Sequence, residues 1–84
     1  MNHALAADAA CVVAALYKER AWFRHGLTDH RIVEVTGLPV ERVVAARRHA
    51  QYDGLIERIS RAGETVTMLT PLGVARAHAT GAPA

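Results

Sequence analysis

"TGLPVERVVAARRHAQYDGLI", residues 36–56, decides how this chain folds. It holds two glycines, each followed by leucine, and between them apolar residues recur at helical rather than strand spacing. At about 100° per residue, Val40, Val43, Arg47 and Ala50 gather on one side of a helix predicted from Pro39 to Tyr52. Glu41, Ala45, Arg48 and Tyr52 gather on the other side, flanked by Arg42 and His49. Proline suits the first helical position, where its missing N–H leaves no bond unmade. Gly54 stops the helix.

Working back towards the N-terminus, only "LP" separates this helix from a shorter one that follows Thr28. Thr28 is a good N-cap, Asp29 suits the positive end of the helix, Ile32 and Val35 form its inner side, and Gly37 stops it. Residues 4–24 contain no glycine or proline and are rich in alanine, the best helix former. A first helix is therefore predicted to end near Arg24, with His25-Gly26 as its stop. Leu5, Ala9, Val12, Leu16 and Phe23 make its apolar face, and Asp8, Cys11, Lys18 and Trp22 lie roughly opposite.

After Gly54 the pattern changes. "LIERIS" and "TVTML" are short and β-branched, and the "RAGE" between them lets Gly63 supply a positive φ. An antiparallel hairpin of 55–60 with 65–69 is predicted. "TPLGVARAHA" then sets Thr70 as N-cap and Pro71 at the first position of a last short helix, with Gly81 beyond its end. The fold class is α+β, mainly α: three helices, a hairpin and a short C-terminal helix. Residues 4–79 form the single domain, and 1–3 and 80–84 are expected to be flexible tails.

Bulk composition agrees with one small folded unit. A chain of 84 residues buries about 60–65% of its unfolded surface, enough for one modest core. Apolar residues make up 51% and charged ones 21%, which excludes disorder by composition. The lone Cys11 cannot form an internal disulfide and reads as a small buried hydrophobe of a reducing compartment. No apolar run approaches the roughly 20 residues of a membrane span, and nothing reads as a signal peptide, so a soluble cytoplasmic protein is expected. Nine arginines face a single lysine, yet the net charge is only +2, a mild fit to a polyanionic partner.

In this order the segments resemble the winged helix-turn-helix DNA-binding domains of bacterial transcription regulators of the MarR, ArsR and PadR sort. The resemblance covers residues 27–76. "LTDHRIVEVTGLPVERV" is similar to the family's helix-turn-helix, "YDGLIER" to the "xxGLIxR" that leads into the wing, and "LTPLG" to its strand-to-helix ending. The chain departs from the pattern at four places. Val33 stands for alanine, Pro39 for a serine-type cap, and Arg47 and Ala50 for two leucines. The resemblance implies a bacterial or phage protein that binds duplex DNA, as a transcriptional regulator or an accessory factor.

Under that reading Arg42 and Arg48 are the candidates for bidentate contact with guanine or for phosphates, with the small Ala45 between them allowing close approach. His49 flanks this face. Glu41 can accept from cytosine N4, but as an acid beside the helix start it is better explained structurally. Arg31, Arg58 and Arg61 are candidate backbone contacts. Arg47 points inward, where an unpaired guanidinium is costly, so it must meet a carboxylate, with Glu34, Asp53 and Glu57 in reach by sequence. The five histidines show no i,i+4 pair and the cysteine is far from them, so no metal site or cofactor is expected. No phosphate loop, nucleophile elbow or carboxylate pair indicates an enzyme. The rival reading is a protein–protein assembly module, favoured by Val40 and Val44 near the reading face, by Glu41 and by Trp22. A homodimer, if formed, would use the first helix and residues 71–79.

Overall fold

The computed structural model describes residues 3–22 and 25–81. Their order is α1 (His3–Lys18), α2 (Asp29–Thr36), α3 (Val40–Tyr52), β1 (Ile56–Arg61), β2 (Glu64–Leu69) and α4 (Pro71–Ala79). Phe23 and Arg24 of the predicted first helix, and residues 1, 2 and 82–84 of the predicted tails, lie outside the described residues.

The punctuation of the central segment works as read. Thr28 caps α2, its hydroxyl accepting from the Arg31 N–H at 3.2 Å, and Gly37 closes the helix at φ 73°. Pro39 lies one residue earlier than expected, as the N-cap of α3 rather than its first turn, with ψ 153°. Val43, Ala46, Arg47 and Ala50 are buried on the inner side, whereas Val40, assigned there by its angle, is 49% exposed. At the helix start there is little for its side chain to pack against.

The hairpin pairs Ile56 with Leu69 through to Arg61 with Glu64, leaving a two-residue turn. Ala62 and Gly63 both take positive φ, 49° and 78°. That is the geometry of a type I′ turn, whose twist suits a tight hairpin. Thr70 and Pro71 open α4 as predicted, with the Thr70 hydroxyl accepting from the Gly73 N–H.

The first helix is shorter than its composition suggests. It ends at Lys18, where Arg20 turns to φ 56° and two backbone bonds close the end, Arg20 N–H to the Tyr17 carbonyl and Ala21 N–H to the Leu16 carbonyl. This is a Schellman closure with a non-glycine residue in the left-handed position. Sheet pairing explains the early stop. The Leu69 N–H donates to the Ala21 carbonyl at 2.7 Å, and Leu27 and Thr67 exchange both backbone bonds at 2.8 Å. Continuing the helix would forfeit these bonds and the burial of Ala21. Gly26 is consequently not a helix stop. It is a close approach, since a Cβ there would sit 2.6 Å from Val66 Cγ2.

Val12, Leu16, Ala21, Ile32, Val43, Ala46 and Ala50 are fully buried, and Ala9, Val13, Tyr17, Leu55, Ile56, Leu69 and Ala77 join them in the core. Trp22 stacks on Tyr17, with ring centroids 5.5 Å apart, and packs against that core. It therefore does not stand apart from the main apolar stripe as its angle on a longer helix implied. Two further assignments on α1 reverse: Cys11 is exposed, and Asp8 is buried. The arrangement is a winged helix-turn-helix, with α2 and α3 as the pair and β1–β2 as the wing.

Candidate nucleic-acid interface

The outer stripe of α3 forms as predicted. Glu41, Ala45 and Arg48 are all exposed, and Tyr52 stands at the far end. Glu41 lies in the first turn, where its charge suits the helix dipole. Arg48 has no carboxylate within ion-pair reach among the described residues, and neither has Arg61, next to the wing turn. Glu64 stands directly across the turn from Arg61 without bridging it.

The remaining candidates are committed elsewhere. Arg42 turns back to α1 and grips Asp8 with both arms of its fork, Nε to Oδ2 at 2.8 Å and the terminal nitrogen to Oδ1 at 2.6 Å. This ion pair with α1 accounts for the place of Arg42 on the flank of α3. His49 is half-buried and lies 3.6 Å from Asp53, on the flank of α3 away from the stripe. Arg31 pairs with Glu19 at 3.2 Å and Glu34 at 3.6 Å. Arg58 lies 3.7 Å from Asp29.

Arg47 is covered and carboxylate-bound, as its inward angle requires, but by a partner outside the expected set. Its Nε and terminal nitrogen donate to the two oxygens of Asp29 at 2.9 and 3.2 Å. One aspartate at the start of α2 therefore meets two arginines, one from α3 and one from the wing.

The side chains at the wing root are unusual in another respect. Among the described residues, the covered side-chain polar atoms without a partner are Arg58 Nε and Thr67 Oγ1. These residues face each other across the hairpin. Thr67 spends its backbone groups on Leu27, so this rung is a non-hydrogen-bonded one, in which opposed side chains lie closest.

The Asp8–Arg42 contact has a signature in pH. The hydrogen bonds from Arg42, with its charge, hold the Asp8 carboxyl below the ordinary aspartate range and raise the guanidinium above its own. A depressed carboxylate contributes stability that is fully present above the unfolded value, about 3.9, and is lost as pH falls through the lower folded value. D8N is therefore expected to melt below wild type at neutral pH, with the gap closing below pH ~4. Thermal melts across the acid range measure this, and a gap that stays constant with pH would contradict it.

Sequence reasoning passed over Asp8 and the partner role of Asp29. A signal was available for the first, since Asp8 is the single charged residue between positions 4 and 17. A groove of about 280 Å³ also lies between α1, the end of α3 and α4, floored by Ala10, Val13, Leu55 and Ala77. Among the described residues, no cluster of His, Cys, Asp or Glu suits a metal ion, and no helix is long and apolar enough to cross a membrane.

No protein-family model matches the sequence, and no curated protein does. Two solved structures share the fold. F-93 of SSV1 superposes with a TM-score of 0.72 at 18% identity, covering 86% of this chain and 79% of its own. A predicted DNA-binding transcriptional regulator from E. coli superposes with a TM-score of 0.62 at 15% identity, covering 80% of this chain and 72% of its own. This chain is thus a winged helix-turn-helix protein by fold.

Proposed function

We propose that this chain binds duplex DNA, laying α3 in the major groove and setting the wing against the backbone, and that it regulates transcription by doing so. A phage-type accessory factor would use the same surface. The carrying observation is the outer stripe of α3, where Arg48 is exposed without a carboxylate partner among the described residues and Ala45 leaves room beside it. The likeness to a structure described as a predicted DNA-binding transcriptional regulator supports the reading. Binding, not catalysis, is the activity this surface fits.

The ion pairs set the expected strength. With Arg31, Arg42 and Arg47 held by carboxylates, few arginines are left for phosphates. The slope of log affinity against log salt should then be shallow, about −2 to −3. R48A is expected to weaken a site selected from random DNA by about 1–3 kcal/mol if the arginine reads a base. R61A should weaken all sequences alike and flatten the slope by about one unit. Neither should change stability by more than about 0.5 kcal/mol. Absence of any binding at low salt across a random pool would replace this reading with a protein-assembly module, for which Val40 and Tyr52, 49% and 91% exposed, supply apolar contacts.

A further inference from the structure

The two arginines on Asp29 are not held alike. Arg47 occupies both carboxylate oxygens at hydrogen-bond distance, and its side chain is only 9% exposed. Arg58 reaches one of those same oxygens, Oδ2, and only at 3.7 Å, beyond hydrogen-bond range. Its side chain is 26% exposed, and its Nε is covered with no acceptor among the described residues. A carboxylate carries one negative charge against two guanidinium groups, so the cluster keeps a net positive charge at the root of the wing. The weakly held arginine is the one nearer solvent.

We propose that Asp29 holds Arg58 in reserve as a phosphate ligand, handing it to the DNA backbone when the wing seats while keeping Arg47 for itself. The inference rests on the DNA-binding reading. The exchange costs Arg58 only a long ion pair without a hydrogen bond, and lets it offer donors that Asp29 leaves unused. Asp29 keeps its bidentate partner throughout, so α2 and α3 stay joined. Until the phosphate arrives, Asp29 neutralises part of the wing's charge, which weakens its attraction for any polyanion. Asp29 is thus a positioning residue for the interface, and it competes with phosphate for Arg58.

Affinity for a short mixed-sequence duplex, measured over a salt series on wild type, R58A and D29N, tests the handover. Melting curves confirm that each variant is folded. R58A is expected to flatten the salt slope by about one unit, because a phosphate contact is lost. D29N, which removes the competitor, is expected to bind several-fold tighter with the slope of wild type, because Arg58 contacts phosphate in both complexes. Should D29N prove unfolded, R58A alone decides. An unchanged slope in R58A, with wild type binding normally, overturns the handover and leaves the DNA-binding reading intact. A steeper slope in D29N would also overturn it, by showing that Asp29 never releases the arginine. Wild type that fails to bind DNA at any salt overturns both.

Discussion

Replacing Gly73 with alanine is expected to destabilise the domain strongly. Helix propensity alone would favour alanine over glycine by about 1 kcal/mol, so the direction of the effect is itself the test. Gly73 lies in the first turn of α4, which rests directly on the backbone of Leu55. A Cβ at this position would collide with the Leu55 carbonyl oxygen, and would lie 2.9 Å from its carbon and 3.1 Å from Leu69 Cδ2. The carbonyl cannot swing away freely, because it accepts from the Thr70 N–H at 3.0 Å. Relief requires lifting α4, which would uncover Ala77 and Leu55, 1% and 6% exposed. We expect a loss of about 3 kcal/mol or more, a large share of the stability of a domain this small. The melting temperature should fall by on the order of 15 °C. A G73A protein that melts at or above wild type would contradict the close approach of α4 to the Leu55 backbone.

The second large effect concerns Arg47. R47A would leave the Asp29 carboxylate, 27% exposed, with only the distant Arg58. Breaking a fully buried pair costs about 3–5 kcal/mol, and the partial exposure of Asp29 reduces this to about 2–4. R47L should lose less than R47A, because leucine fills the space that the resemblance gives to leucine. R47L/D29N should recover most of the remainder, since it removes both charges together and leaves none stranded. Chemical denaturation of the three variants measures the series. If R47L/D29N is no more stable than R47L, Asp29 was not the group left stranded.

The fold was legible because its boundaries are local chemistry. Thr28, Gly37, Gly54, Gly63 and the Thr70-Pro71 pair each act within a turn of their own position, so the sequence around them states what they do. The end of α1 was not legible in this way. Alanine-rich residues carry the helical pattern past Lys18, but Ala21 and Leu27 bond to Leu69 and Thr67 of β2, far along the chain. The candidate site divides along the same line. Angles on a single helix correctly set Glu41, Ala45 and Arg48 outside and Arg47 inside. They could not say that Asp8 would reach Arg42 across 34 residues, or Asp29 reach Arg47 across 18. Periodicity tells which way a side chain points on its own element, and nothing about what stands opposite.

The chain between α1 and α2 has a further effect through its bonds to β2. By pairing Ala21 and Leu27 with Leu69 and Thr67, it covers the C-terminal half of the side of β2 that β1 leaves open. β2 is thereby an inner strand along that half, whereas no backbone bond among the described residues covers the outer margin of β1. That margin is six residues long and carries Glu57, Arg58 and Arg61. Short, charged edges resist the strand-to-strand addition that seeds aggregates. The arginines of the wing therefore also discourage neighbouring molecules from adding a strand to this edge, and a wing made neutral for other reasons would lose that protection.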